Sequence, residues 1–325
     1  MEATKSKRSP DEDLITAIPF DERPGKEPYN ASEVVPLLDS RFLFCDNNIS
    51  DSLFEMRMTP EGKLAGPLIR HPIRGVSPRY LDDFEGMAVA ESGDKYFLIV
   101  TTSLSLKIKD AKAKKKSKRG KESIERESLL RITITKKVRP QAEIIPGFRS
   151  WLIENAPELG KSWRYIPDDG GLNVEGLAWN PKASELLFGV RTPVFNKMPV
   201  ILRVHVKDIG GMWNFNDFEM LPPVYLQLGN SNHEQGIRTI EYDPSRGTWL
   251  IVVGNSSSKS KAPFHLCEWD GNFEGVVRMF DKVRFHPKFR VEGVAHGTIG
   301  GRGALIFVDD RGGYQVLWDD DPRLQ

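Results

Sequence analysis

Three Glu-Gly pairs stand at the head of short apolar runs, and they are the residues of this 325-residue sequence best placed to do chemistry. They are Glu85-Gly86 in DDFEGMAV, Glu175-Gly176 in NVEGLAW and Glu292-Gly293 in RVEGVA. A fourth segment, HEQGIRTIEYD, has Gln235 in the corresponding place and Arg238 where the other segments have alanine. One motif repeated along a chain indicates a repeated structural unit. We therefore expect these side chains to converge on one site.

Three roles are open for glutamates gathered in this way. They could bind calcium, which takes roughly six to eight oxygen ligands. They could act as acid and base, because crowded like charges raise at least one pKa. Each could instead accept backbone N–H hydrogen bonds and only hold the fold together, which is the usual role of a buried polar group and the one we favour. Gln235 removes one negative charge, and Arg238 would favour an ion-paired channel over a metal.

The elements that position these residues are short strands. Five apolar runs are rich in β-branched and aromatic residues and are too short for helices, so each reads as a buried strand. These runs are FLFC, FLIV, LLFGV, LIVV and LIFV, which end at Cys45, Val100, Val190, Val253 and Val308. Each lies between a first and a third strand, and a weaker fourth strand follows in four units. Four strands per unit, repeated five times, predict an all-β, five-bladed β-propeller whose first strands line a central channel.

The fifth unit ends directly after its third strand, at DDDPRLQ. The segment LITAIPF, Leu14 to Phe20, lies upstream of the first unit without a partner. We expect it to supply the missing outer strand and close the ring, because an open ring would expose strand edges. SEVVPLL would then be the first strand of blade one, which has no clear Glu-Gly match. The predicted organisation is a flexible N-terminal stretch, 1–13, and a single propeller domain, 14–325.

Two additions are expected in blade two. The loop from Lys107 to Lys121 carries nine Lys or Arg against one acid, so it could bind a polyanion, with the candidates Lys114, Lys115, Lys116, Lys118 and Arg119. It could equally be a solvated loop, and it has no interleaved aromatic residues for base stacking. GFRSWLIENAPEL places Phe148, Trp151, Leu152 and Asn155 at helical spacing, which predicts a short rim helix.

Composition favours a cytoplasmic protein. There is no apolar run long enough to span a membrane and no secretory signal at the N-terminus. Cys45 and Cys267 form no paired spacing, which fits a reducing compartment. No histidines pair at metal-ligand spacing, although His233 and His296 lie near first-strand positions, from which they could reach the channel mouth.

The segments DDFEGMAV, NVEGLAW with LLFGVRTP, and RVEGVA resemble domain-of-unknown-function family 3616, a mostly bacterial group of predicted propellers. More distantly they resemble the SdiA-regulated and esterase-like phytase propellers. The resemblance covers roughly residues 35 to 320 and implies a propeller fold without an established activity. The phytase-like relatives imply a central cation site, carried here onto Glu85, Glu175 and Glu292.

Two functions follow as expectations. The first is a non-enzymatic binding or scaffold protein of the bacterial cytoplasm that recognises a protein, or a polyanion such as nucleic acid, on a rim face, without a cofactor. The alternative is a calcium-dependent hydrolase of phosphate or other esters at the central channel. We expect no membrane partner, and the sequence leaves the oligomeric state and any catalysis open.

Overall fold

The computed structural model describes residues 14–20, 28–38, 40–107, 126–134, 140–229 and 233–325. Within these ranges the strands form five antiparallel sheets of four strands each. The predicted flexible stretch 1–13 and most of the basic loop, from residue 108 to residue 125, lie outside the described residues. The five sheets confirm the predicted five-bladed β-propeller.

The described part of the chain starts with a two-residue strand, β1 (Ile18–Pro19). Blade one follows as β2 (Ala31–Pro36), β3 (Arg41–Asp46), β4 (Ser52–Arg57) and β5 (Ile69–Pro72). Blade two consists of β6 (Phe84–Ser92), β7 (Lys95–Thr102), β8 (Leu129–Ile134) and β9 (Gln141–Ile145). Blade three consists of β10 (Asn173–Asn180), β11 (Glu185–Phe195), β12 (Met198–Val206) and β13 (Phe218–Tyr225).

Blade four consists of β14 (Gln235–Asp243), β15 (Thr248–Asn255), β16 (His265–Trp269) and β17 (Val277–Met279). Blade five consists of β18 (Val291–Ile299), β19 (Arg302–Asp309) and β20 (Gly313–Trp318), completed by β1. Short 3-10 helices in the described ranges are Pro78–Tyr80, Pro157–Leu159, Ser162–Arg164, Pro167–Asp169, Phe215–Asp217 and Pro322–Leu324.

The first strands of the blades form the inner ring. Each of β2, β6, β10, β14 and β18 contacts the first strand of the blade before it and of the blade after it, so they surround one central axis. The second strands are almost entirely buried, as their unbroken apolar sequences predict. Five hydrophobic clusters each draw residues from two neighbouring blades, so the core lies between the blades.

The N-terminal strand closes the ring, as predicted. Ile18 pairs with Tyr314 and Pro19 with Gly313, which places β1 on the outer side of β20. Strand β1 is shorter than the predicted segment Leu14 to Phe20. Ile15 does not pair with β20 but forms an isolated β-bridge with Phe285, in the segment between blades four and five. Phe20 is buried and stacks on Phe44 of blade one and on Tyr314 of blade five, with ring centroids 5.2 Å and 5.6 Å apart.

The predicted rim helix is α1 (Phe148–Asn155), which directly follows blade two. Phe148 and Leu152 are fully buried, and the Phe148 ring lies 5.3 Å from that of Phe188 in blade three. The helix therefore packs between two blades through its apolar side. No helix in the described part of the chain combines the length and the apolar character needed to cross a membrane.

Candidate functional site

A β-bulge interrupts the first strand of every blade at the same level of the ring. In blade two, Phe84 pairs with Thr102 and Gly86 with Thr101, so Glu85 has no partner on β7. The same register shift leaves Glu175 in blade three and Glu292 in blade five without a pairing partner on the second strand of their blade. A bulge bends the strand and redirects the side chain of its extra residue. We call this end of the ring the bulge end.

The bulge register corrects the expected alignment of blade four. Gln235 pairs with Asn255 and Gly236 with Gly254, and the register shift comes between Ile237 and Thr239. The residue equivalent to the glutamates is therefore Arg238, and the prediction that Gln235 takes this place is wrong. Gln235 is buried and donates to the carbonyl oxygen of Pro263 at 2.8 Å.

Spacing in the sequence fits Arg238 better than Gln235. Arg238 lies 15 residues before Val253, as Glu85 lies before Val100 and Glu175 before Val190, and Glu292 lies 16 before Val308, whereas Gln235 lies 18 before Val253. In blade one, which has no Glu-Gly pair in its sequence, the register shift between Ala31 and Glu33 makes Ser32 the bulged residue. The five equivalent positions are thus three glutamates, one arginine and one serine.

Arg238 joins the glutamates of its two neighbouring blades. Its Nη1 lies 2.8 Å from Glu175 Oε2, and its Nη2 donates to Glu292 Oε1. All three residues are at most 5% exposed. Burial alone would lower the pKa of Arg238, but Glu175 and Glu292 raise it above its usual value. The guanidinium therefore stays charged and stabilises both carboxylates.

Glu175 has further partners. Arg191 Nη1 lies 2.6 Å from its Oε1, and the Asn173 amide donates to the same oxygen at 2.9 Å. Arg191 also donates to the carbonyl oxygen of Asn255, which ties blade three to blade four. For Glu292, burial raises the pKa to about 8, although Arg238 opposes the shift.

Glu85 differs from its two equivalents. Its carboxylate accepts from Asn47 Nδ2 at 3.3 Å, and among the described residues it forms no ion pair. Burial raises its pKa well above the usual value, and the charges of Asp83, Glu175 and Glu292 raise it further. The bulge end thus has a neutralised side at Arg238 and an acidic side at Glu85.

The glycines after the three bulged glutamates are required by close packing. A Cβ atom on Gly86 would lie 2.7 Å from Leu177 Cβ, and one on Gly176 would lie 2.8 Å from Ile240 Cγ2. A Cβ atom on Gly293 would lie 2.8 Å from Val34 N. Each contact is with the first strand of the next blade, so these glycines allow the inner strands to approach.

The residues at the bulge end do not fit calcium as the occupant of the cation site that the distant resemblance implied. Calcium needs several free oxygen ligands, but Arg238 binds both Glu175 and Glu292, which leaves Glu85 alone. In the described ranges, no group of three or more His, Cys, Asp or Glu side chains has a geometry that could hold a metal ion.

His296 does not join this site. His296 Nδ1 lies 3.2 Å from Asp243 Oδ1, at the opposite end of β14 from the bulge, and Nε2 lies 3.0 Å from Asp319 Oδ2. His296 therefore lies away from the bulge end. His233 precedes β14 and interacts electrostatically with His265.

The basic loop leaves and rejoins the described structure at the bulge end. Lys107 Nζ and Arg126 Nε both contact Oδ2 of Asp82, at 3.0 Å and 2.8 Å. Arg126 Nη1 also lies 3.0 Å from Asp83 Oδ2. Asp82 thus holds the residues on both sides of the segment 108–125, three positions before Glu85. The candidates Lys114, Lys115, Lys116, Lys118 and Arg119 lie outside the described residues.

Solved structures similar to the chain share little of its sequence. An endo-arabinase from Bacteroides thetaiotaomicron has a TM-score of 0.47 and 14% identity over 93% of this chain and 95% of its own. Myxococcus xanthus glutaminyl cyclase has a TM-score of 0.44 and 12% identity over 94% and 97%. The Malassezia sympodialis allergen Mala s 1 has a TM-score of 0.43 and 11% identity over 88% and 78%. No conclusion about activity follows from similarity at this level.

No curated protein sequence matches the chain. The family model described as Protein of unknown function (DUF3616) matches residues 151–275, which include all of blade three and the first three strands of blade four. The likeness to the SdiA-regulated and phytase-like propellers stays a prediction. The resemblance of this chain to domain-of-unknown-function family 3616 is thereby confirmed over residues 151–275.

Proposed function

We propose that the protein is a non-enzymatic binding propeller that captures a polyanionic partner at its bulge end, through the basic segment Lys107–Lys121. The observation that carries this proposal is the convergence of Lys107 and Arg126 on Asp82. Because Asp82 comes just before the bulged strand β6, Lys107, where the basic segment begins, and Arg126, which follows the segment, are both held beside the central ring. The rim face around Glu85 is then the recognition face.

The charge distribution supports a partner of this kind. The segment from Lys107 to Lys121 contains nine Lys or Arg and the single acid Asp110, whereas the whole chain has a net charge of only +1. A basic segment on an otherwise acidic protein attracts phosphates or an acidic protein surface over a distance. Because the net charge of the whole chain is small, electrostatic repulsion within the protein stays weak. Since the segment has no aromatic residue, it would contact a nucleic acid through its backbone rather than its bases.

The bulge end itself supports binding rather than metal-dependent hydrolysis. A catalytic metal needs protein ligands and an open coordination position. Arg238 instead occupies the space between Glu175 and Glu292 and holds three blades together. In this proposal the protein works without a cofactor in a reducing cytoplasm, where the buried thiols Cys45 and Cys267 stay free.

The experiment replaces Lys114, Lys115, Lys116, Lys118 and Arg119 with serine. The matched control replaces five exposed lysines scattered over the described surface, Lys63, Lys161, Lys182, Lys282 and Lys288. Both variants lose five charges, so only the position differs. Wild-type protein and the scattered variant should bind heparin, duplex DNA or a poly-glutamate peptide at low salt, and the segment variant should not.

The salt dependence identifies the contact. Each phosphate contact contributes about 0.9 to the slope of log affinity against log salt for duplex DNA. Binding of DNA with such a slope would indicate a nucleic-acid partner, and preference for poly-glutamate would indicate an acidic protein. The proposal is wrong if wild-type protein binds none of the three probes, or if the two variants lose binding equally.

A further inference from the structure

Two adjacent carboxylates, Asp82 and Asp83, hold the residues on both sides of the basic segment. Lys107 Nζ lies 3.0 Å and Arg126 Nε lies 2.8 Å from Asp82 Oδ2. Arg126 Nη1 lies 3.0 Å from Asp83 Oδ2. We call Asp82 and Asp83 the acidic clamp. It brings two cations that are far apart in the chain to one point at the bulge end.

Arg126 is an anchor in this arrangement. Besides its contacts with both carboxylates of the clamp, its Nη1 donates to Ser105 Oγ at 3.2 Å. Ser105 Oγ lies 2.8 Å from Ser103 Oγ, and both serines are buried. The Arg126 side chain is only 19% exposed, whereas the Lys107 side chain is 47% exposed. Arg126 therefore ties the segment to the buried end of blade two and presents little surface to a partner.

The backbone at Asp83 is shaped for this contact. Its φ of 60° lies in the left-handed region, which is uncommon for residues other than glycine and persists where the surroundings hold it. Ser103 N donates to the carbonyl oxygen of Asp83 at 2.9 Å, and Arg126 binds its carboxylate. Neighbouring side chains of an extended chain point to opposite sides. The left-handed conformation of Asp83 therefore allows both carboxylates to reach one guanidinium group.

A charged clamp has two opposite effects on a polyanion. Burial alone would raise the pKa of Asp82, but hydrogen bonds from Arg126 and Lys107 lower it below its usual value, so the carboxylate is charged at neutral pH. Its charge repels a polyanion. Its contacts, however, fix both sides of the basic segment, and a segment that is held in place loses less conformational freedom when it binds.

We propose that the acidic clamp positions the basic segment for its partner, so that Asp82 and Asp83 increase the affinity of the protein for a polyanion despite their charge. This inference rests on the proposed function and adds two positioning residues to the same site. The gain from positioning exceeds the repulsion, because Lys107 and Arg126 neutralise the two carboxylates. Salt screens the charge that is left.

The sign of the effect of Asp82→Asn tests this inference. We measure the binding of heparin, duplex DNA and poly-glutamate to the full chain and compare variants on the probe that wild-type protein binds most tightly. Asp82→Asn should weaken binding by about threefold or more, because the segment is released. Repulsion alone would make the same variant bind more tightly. The loss should persist at high salt, where repulsion is screened.

Three further variants separate charge from position. The matched control is Asp51→Asn, which removes an acid that is paired with Arg70 and lines the same surface groove as Asp82. It should leave binding unchanged or strengthen it. Asp82→Glu keeps the charge and should restore part of the affinity. Asp83→Asn breaks the second contact with Arg126 and should weaken binding in the same direction, which keeps the test open if Asp82→Asn unfolds.

Hydrogen exchange tests the clamp without any partner. Peptides that cover residues 103–107 and 126–129 should exchange about threefold faster or more in Asp82→Asn than in wild-type protein or Asp51→Asn. The inference is wrong if these rates are equal, or if wild-type protein binds a probe and Asp82→Asn binds it equally or more tightly. Wild-type protein that binds no probe would overturn the proposed function and the effect on affinity, while the exchange rates would still show whether the clamp holds the segment.

Discussion

The hydroxyl group of Thr239 in blade four lies 2.9 Å and 2.8 Å from the two carboxyl oxygens of Glu33 in blade one. Both residues take the position after the bulge, where blades two, three and five have glycine. Glu33 is fully buried, and Val34 N donates to its Oε1 at 3.0 Å. One hydroxyl has a single proton to donate, so a proton on Glu33 would turn the second contact into a hydrogen bond.

We expect Glu33 to make stability fall with rising pH. Burial raises its pKa well above the usual 4.5, and the charge of Glu241 adds to this. A group whose pKa is higher in the folded state supports folding at low pH. That support is lost as the pH rises from about 4.5 through the folded value. Urea unfolding of wild type and Glu33→Gln at several pH values measures the loss, which should be smaller in the variant. An unchanged pH dependence would contradict this, and Glu61→Gln on the surface is the control.

Arg238 should be among the most sensitive positions in the ring. Arg238→Met leaves Glu175 and Glu292 buried without their shared cation, and removing one partner of a buried ion pair costs about 3–5 kcal/mol. The loss should shrink at low pH, where the carboxylates take up protons. Arg246→Met is the control, because Arg246 lies in the turn between β14 and β15 and is partly exposed, so this change should cost less than about 1 kcal/mol. Equal losses of unfolding free energy in the two variants would refute the bridging role.

Because the inner strands pack closely, we expect an alanine substitution to destabilise the protein at Gly176 but not at Gly66. Gly176→Ala would place a Cβ atom 2.9 Å from Ile240 N and 2.8 Å from Ile240 Cγ2, so inner strands of two blades must separate. Overpacking of this kind costs about 1–3 kcal/mol. Gly66→Ala has no atom within 4 Å and should leave the melting temperature nearly unchanged. Similar melting temperatures for both variants would show that the ring is looser than described.

Deletion of residues 1–25 tests the closure by β1. It removes the pairing with β20 and the stacking of Phe20 on Phe44 and Tyr314. The melting temperature should fall substantially, and the exposed edge of β20 should promote aggregation. Deletion of residues 1–13 keeps β1 and should have little effect. A monomeric 26–325 variant with the wild-type melting temperature would mean that closure contributes no stability.

Sequence patterns predicted the blades better than the site. A continuous apolar sequence requires a strand that is buried on both faces, and the second strand of each blade is such a strand. The predicted second strands therefore match the structure; they end at Cys45, Val100, Val190, Val253 and Val308. The bulge is set by pairing between strands, which a short motif does not report. Gln235-Gly236 resembles Glu-Gly in letters but pairs regularly with β15, whereas Arg238 takes the bulge. In blade one the glutamate, Glu33, comes one position after the bulged Ser32 and is not followed by glycine, so the motif does not identify this bulge.

The pairing of β1 with β20 also constrains how the chain acquires its structure. Blades one to four are each built from consecutive strands, so each can form from local sequence as soon as it leaves the ribosome. Blade five instead needs Ile18 to meet Tyr314, which follows it by 296 residues in the chain. Contacts between such distant parts of a chain form late, because the entropy of closing a long loop must be overcome first. The first strand of the propeller thus remains unpaired until its last strand has been made, and the ring is completed only after the whole propeller has been synthesised.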